Sequence, residues 1–319
     1  MIAYLLRRVP SALAVLFGAS VLIFLLLRLV PGDPATTLAG PDATPETIAA
    51  IRHQLGLDRS WPAQYLTWLH GVLTGDLGRS YIIGGQISDL VGRGLTNTLV
   101  LTAAALLLAV VVSLAVSVSS VLWDRRWLNA IVAAANTVAV AVPVFVTGVL
   151  LVLVFAIILP VLPAGGIPPR GFAAQPDITV QYLLLPSICL ALPVAAALTR
   201  FLTESLRTEL RKPYVLTARA LGISHRQIVT RGALRNALPT MLTALGIQTG
   251  QLLGGAVLVE AAFAWPGIGQ LIEQGINRRD YPVVQALLLF SVAVFVAIQL
   301  TTDIVHAWLD PRIRIGGRA

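Results

Sequence analysis

Charge is what this sequence has least of. Charged residues fill 12% of its 319 positions, about half the roughly 25% usual in soluble domains. Hydrophobic residues fill 56%, and mean hydropathy is +0.82. A water-soluble fold of this length has too little interior to hide that much apolar side chain. Lysine is reduced to Lys212, which is followed by Pro213. A phosphate-cradling loop of the form G-x-x-x-x-G-K-[ST] is therefore absent, and the chain is not expected to hydrolyse ATP. Cysteine is reduced to Cys189, inside an apolar stretch. That excludes an internal disulfide and a thiol cluster for zinc or iron–sulfur, and leaves a small buried apolar residue.

What the sequence does have is long apolar runs. Six are long enough to cross a bilayer, near 9–30, 97–122, 129–159, 180–203, 237–262 and 283–305, given that a span needs about 20 residues. The third exceeds that length, and tilt or an interfacial first turn is expected to absorb the excess. Pro143, Pro186 and Pro193 fall inside runs and are expected to kink them. The first run is too long for a cleavable signal peptide and is followed by no small-residue cleavage site. Arg7 and Arg8 precede it and favour a cytoplasmic N-terminus. On that assumption 15 of the 23 basic residues fall inside and seven outside. Arg28 lies at the outer end of the first run, where it can snorkel. The bias predicts both termini inside and explains the net charge of +8 without nucleic acid.

Two connections are large. The outer one, 31–96, is polar. Thr44 is placed to cap a helix that has Pro45 at its first position and Gly56 just past its end. Ile48, Ile51 and Leu55 share one face of it. Tyr65, Trp68, Leu69 and Val72 mark a second helix, whose aromatics either sit at the membrane interface or, by preference, pack in a small outer lobe. His53 and His70 lack the partners of a metal site. The inner connection, 204–236, is densely basic and reads as two short helices. The first starts at Pro213 and stops at Gly222. The second starts at Ser224, with Gln227 completing a capping box. DNA recognition is disfavoured, because the unit is clamped between spans with no room for a third supporting helix. An Arg-rich hairpin lying on anionic lipid is a second possibility. The preferred reading is a rigid docking surface for a cytoplasmic partner.

Polar residues within spans are the remaining candidates for function. Asn136, Gln248 and Gln251 either line a wet path through the membrane or hydrogen-bond between helices. Glu260, near the outer end of the fifth run, either gates or contacts a docked protein, or pairs with an outer arginine. Asp303, near the inner end of the sixth, disfavours the helix dipole there and is read as a structural acid paired with an inner basic residue. Gly246, Gly250, Gly254 and Gly255 suit either a sliding or a static helix contact.

The run Tyr214-Val-Leu-Thr-Ala-Arg-Ala-Leu-Gly222 resembles the cytoplasmic signature of permeases in binding-protein-dependent ABC importers. Thr217, Ala218 and Gly222 match its small-residue positions. The general form has Glu-Ala-Ala where this chain has Leu216-Thr217-Ala218, and places its Leu-Pro closer than Leu238-Pro239. Both departures are similar to the dipeptide and oligopeptide permease branch. Pro31-Gly-Asp-Pro34, Leu55-Gly-Leu-Asp58, Gly75-Asp-Leu-Gly78, Val259-Glu-Ala-Ala-Phe-Ala-Trp-Pro-Gly-Ile-Gly269, Arg279-Asp-Tyr-Pro282 and Asp310-Pro-Arg312 resemble the same branch in the same order.

The resemblance implies an all-α membrane protein with six transmembrane helices and a type I ABC importer permease fold. It divides the chain into an N-terminal helix (1–30), an outer lobe (31–96), a five-helix core (97–310) and a tail (311–319). It implies that Tyr214, Thr217, Ala218, Arg219, Ala220, Leu221 and Gly222 form a coupling helix seated in an ATPase cleft. The implied partners are a second, homologous permease, two nucleotide-binding domains on one or two chains that bind ATP and Mg, and an extracytoplasmic substrate-binding protein. No cofactor is expected in this chain. The implied cargo is a di- or oligopeptide, with nickel or another small solute as the alternative within the branch. A proton-coupled secondary transporter is the competing class. It needs a buried titratable relay and usually an internal repeat, and the runs hold few acids and no obvious duplication.

Overall fold

A computed structural model describes residues 2–29, 33–40, 42–80, 82–168 and 175–309. Among these residues the regular structure is helical, apart from one isolated bridge between Arg79 and Gln86. In chain order the helices are α1 (Ile2–Leu29), α2 (Pro34–Ala39), α3 (Pro45–Gln54), α4 (Trp61–Thr74), α5 (Ile87–Trp123), α6 (Arg126–Ala141) and α7 (Val144–Val152). A π-helical stretch, Leu153–Ile158, continues α7. Then come α8 (Pro176–Leu210), α9 (Pro213–Ala220), α10 (His225–Gln227), a second π stretch (Ile228–Ala233), α11 (Leu234–Ala262), α12 (Ile268–Asn277) and α13 (Tyr281–Leu309). Helix is the form in which a lipid-embedded segment satisfies its own backbone polar groups. Among the described residues, five helical runs are long and apolar enough to span a membrane, or six if a bent pair counts as one span.

That bent pair corrects one expectation. Residues 129–159 are not a single tilted helix, because α6 and the α7 run meet at 105°. The cause is local. Pro143 disfavours helical backbone in the residue before it, and Val142 is extended at φ −79°, ψ 124°. Pro186 and Pro193, by contrast, lie inside the continuous α8, which packs against α6, α7 and α11. Neighbouring helices can tolerate the broken backbone bonds there.

A second correction concerns the inner connection. It holds one free-standing helix, α9, rather than two. The segment begun at Ser224 runs on through α10 and the π stretch into α11, giving one helical run from His225 to Ala262. Ser224 caps it by accepting from the Gln227 amide at 3.4 Å. No helix stop lies between Ser224 and the apolar run, and Gly232 falls within the π stretch.

The chain forms two compact units, one made of residues 1–98 and 266–300, the other of 99–265 and 301–319. In the first unit, Ile87, Val91, Ile268, Ile272, Val283 and Leu287 form the core. The expected outer helices are present. The Thr44 hydroxyl accepts from the Thr47 amide at 3.3 Å, and Gly56 takes up φ +64° just past the end of α3. The local backbone amide and, after it, the Thr44 hydroxyl hold the Glu46 carboxyl below its ordinary pKa. Tyr65 and Trp68 pack on Phe24 of α1, with ring centroids 5.4 and 6.4 Å away, and Ser20 meets the Tyr65 hydroxyl at 2.9 Å. The aromatic face of α4 therefore covers the first membrane helix.

Asp280 organises the rest of this unit. It is buried, and it accepts from the Ser80 hydroxyl at 2.5 Å and the Ile83 amide at 3.3 Å. Asn97 donates to the Pro266 carbonyl at 2.9 Å, and the Thr98 hydroxyl accepts from the Ile268 amide at 2.9 Å. The Pro-Gly-Ile-Gly turn is thereby fastened to the start of α5.

In the second unit α8 is the central helix. Leu190, Val194, Leu198, Leu202 and Leu206 join Leu101, Ala105, Ala109, Leu252, Ala256 and Val259 in one core. Ser117 of α5 donates to the Thr199 carbonyl of α8 at 3.1 Å. Small polar residues allow such close approaches between helices in lipid. Cys189 is buried there, as its surroundings in the sequence suggest, with its sulfur 3.2 Å from the Val144 carbonyl. The corner after α11 buries Phe263 and Trp265 completely. Gly165 lies so close to the Phe263 carbonyl that a Cβ has no room.

Candidate coupling helix and polar path

The candidate coupling residues fall on α9 and its C-terminal stop. Lys212 precedes the helix in extended conformation, and Pro213 supplies its first position. Gly222 sits at φ +78°. The Gly222 amide bonds the Arg219 carbonyl at 3.0 Å and the Ile223 amide bonds the Ala218 carbonyl at 3.1 Å. This is a complete Schellman stop, which a left-handed glycine makes possible.

One side of α9 is held and the other is open. Val215 is 1% exposed and roots the helix in the second unit. Leu216 and Leu221 are 67% and 75% exposed, and Tyr214 and Ile223 are exposed as well. Arg219 and Thr217 are exposed, and Ala218 is half-buried. A helix this short does not persist on its own propensity. Its rigidity comes from the seat beneath it.

That seat contains a residue the sequence reading missed. Glu209, 7% exposed at the end of α8, accepts from Lys212 Nζ at 2.5 Å and from the Tyr214 hydroxyl at 3.2 Å. Asn236 of α11 reaches the same Tyr214 hydroxyl at 3.4 Å. The buried Glu209 carboxylate thus ties the end of α8 to the start of α9, and the Tyr214 hydroxyl ties α9 to α11. The signal available in the sequence was the three-residue spacing of Glu209 and Lys212.

The polar candidates within the spans separate into two groups. Asn136 lines a cavity of about 780 Å³ with Asn129, Thr137, Thr203 and Glu204. Gln248 and Gln251 line one of about 260 Å³. Val140 and Ala197 belong to both linings, so the two cavities adjoin along α6 and α8. Glu260 lines neither; it is fully buried, and its backbone carbonyl accepts from the Trp265 amide at 2.9 Å. Asp303 lies on α13, but its side chain is outside the described residues, as are Pro31, Gly32 and 310–312. Of the glycines on α11, Gly250 is buried and Gly255 faces α8, where an added Cβ comes 3.2 Å from Leu190 Cδ1.

Comparison with known proteins accords with this architecture. Residues 112–315 match the family described as binding-protein-dependent transport system inner membrane component. Residues 1–115 match the corresponding N-terminal family. The glutathione transport system permease protein GsiC of Escherichia coli strain K12 is 36% identical over 315 residues, covering 98% of this chain and 99% of the relative. The GsiC protein of Salmonella typhimurium strain LT2 matches to the same extent. Among solved structures, the inward-facing MetNI methionine ABC transporter aligns with a TM-score of 0.55 at 22% identity, over 69% of this chain and 96% of that one. An amino acid ABC transporter aligns with a TM-score of 0.51 at 16% identity, over 69% and 94%.

The structures at this distance speak to the fold, and the whole-length relatives to the family. The secondary-transporter alternative falls away with them. The chain works with a partner permease, an ATPase and a substrate-binding protein, and does no ATP chemistry itself. It belongs to the binding-protein-dependent inner membrane components, the permease subunits of bacterial ABC importers.

Proposed function

We propose that this permease imports short peptides and that α9 transmits the ATPase stroke to its membrane helices. The peptide assignment is supported by similarity to glutathione permeases along the whole chain, glutathione being itself a tripeptide. The coupling assignment is supported by one observation above the rest: α9 presents Leu216 and Leu221 outward while Val215 and Glu209 hold it rigidly from below. In the proposed assembly both termini face the cytoplasm, and the second permease is a homologue from the same peptide branch. The partner nucleotide-binding domains hold ATP and Mg.

ATP binding closes those domains on α9. Because α9 is tied to the ends of both α8 and α11, its displacement moves the two helices that bear the polar cavities. The spans then exchange between discrete packings that open to one side or the other. Asn136, Gln248 and Gln251 offer amide groups to a passing peptide backbone. Asp303 balances an inner basic residue.

The test is Gly222→Arg in the assembled transporter. Open space surrounds Gly222, so the substitution costs about 1–2 kcal/mol of backbone strain and no clash. The membrane fold should persist while ATPase recruitment and peptide uptake fall together. Wild-type recruitment and uptake in this variant would refute the coupling role. Uptake of nickel ions, with no competition from di- or tripeptides, would refute the peptide assignment.

A further inference from the structure

A cavity of about 310 Å³ lies within the first unit, between the C-terminal end of α1 and the N-terminal end of α13. Its lining joins apolar residues, Phe24 and Leu27 among them, to three guanidiniums and two carboxylates. The carboxylates already have partners. Asp33 is paired with Arg52, and Asp280 takes the Ser80 hydroxyl and the Ile83 amide. Arg28, stacked 5.1 Å over the Phe24 ring, and Arg279 make no ion pair among the described residues. The wall therefore carries net positive charge.

Two further donors line the same space. Gln285 is 9% exposed, and its Nε2 has no hydrogen-bond partner among the described residues. The Tyr281 hydroxyl is likewise buried and unpartnered among the described residues. A buried donor left unpaired is costly. Arg279 stands at the left-handed stop of α12, at φ +59°, where its own amide bonds the Ile276 carbonyl at 3.1 Å and the Asp280 amide bonds the Gly275 carbonyl at 2.8 Å, and this turn brings its side chain to the cavity. Unmet donors and guanidiniums gathered at one cavity point to a ligand that supplies acceptors. The required partner is an oxyanion with several acceptor oxygens.

Location identifies its source. Arg28 ends a helix that exposes Leu22, Leu25, Leu26 and Leu29, the surface of a lipid-facing span. Gln285 lies one turn into the last span. The cavity thus lies where the first and last spans meet the membrane boundary, with both apolar side chains and guanidiniums in its wall. We propose that it holds the phosphate of an anionic phospholipid, gripped by Arg28, Arg279, Tyr281 and Gln285. Such a lipid would pin α1 to α13 within the first unit. The assignment is independent of the transported substrate.

The test uses the full-length chain in its assembled transporter, in nanodiscs of phosphatidylglycerol or phosphatidylcholine, with lipid retention read by native mass spectrometry. Wild type should retain phosphatidylglycerol in preference to phosphatidylcholine. Arg28→Gln with Arg279→Gln, and separately Gln285→Glu, should weaken retention by about ten-fold or more. Arg59→Gln, an exposed arginine of the same unit outside the cavity, should not. The Gln285→Glu change keeps side-chain size, so unaltered helix content with lost lipid separates binding from folding. Equal retention by wild type and the cavity variants would overturn the proposal. So would displacement by millimolar inorganic phosphate or by a soluble peptide, which would assign the cavity to a free anion instead.

Discussion

The open face of α9 permits a quantitative prediction. Full burial of a leucine side chain stabilises by about 1.5–3 kcal/mol. Leu216 and Leu221 are 67% and 75% exposed, so each keeps most of that free energy for a partner. Truncating both to alanine should then weaken ATPase binding by about 2–4 kcal/mol, or about 30- to 800-fold. The melting of the isolated permease should change little, because both side chains are mostly exposed in it. The assay is titration of the detergent-solubilised permease pair with its ATPase, followed by fluorescence anisotropy or by stimulated ATP hydrolysis. Val215→Ala is the counter-control. It deletes buried methyl groups and should loosen the seat of α9 by about 1–2 kcal/mol, lowering coupling with a smaller loss of affinity. Wild-type ATPase affinity in the double alanine variant would refute the docking role of this face.

Other consequences concern the contacts that hold these helices. Glu209→Gln keeps the shape but weakens the charge-assisted bond to Lys212, an effect of about 1–3 kcal/mol; substrate-stimulated ATPase activity should fall more than basal activity, and an equal fall in both would count against a coupling role. Asp280→Asn removes the charged acceptor for Ser80 and Ile83; limited proteolysis should cut the 75–87 segment faster, and unchanged cleavage would show that the clamp is dispensable. Gly255→Leu forces atoms into a gap already tight for a Cβ, which should destabilise the α8–α11 contact by about 1–3 kcal/mol and lower the melting temperature of the solubilised complex.

The membrane class, the helical content and the position of most spans follow from composition and run length alone, because lipid penalises any unpaired backbone group wherever it occurs. Local caps were equally legible. Thr44, Gly56, Pro213 and Gly222 act within a turn of their own position, and their chemistry is short-range. The resemblance of 214–222 to a known signature singled out α9 as the candidate coupling helix, though spacing by itself left lipid and partner docking both open.

Tertiary structure decided what depends on neighbours. Pro143 breaks its run whereas Pro186 and Pro193 do not, and nothing in those residues distinguishes them; the packing of α8 among α6, α7 and α11 does. Glu209 becomes an anchor through the approach of Tyr214, which is in turn met by Asn236, 22 residues further along the chain. Asp280 and Ser80 are 200 residues apart and meet at 2.5 Å. Sequence fixes which groups need partners, since that need is a property of each side chain and its solvent. Which partner it finds is set by how distant helices pack, a non-local outcome that no window of the chain contains.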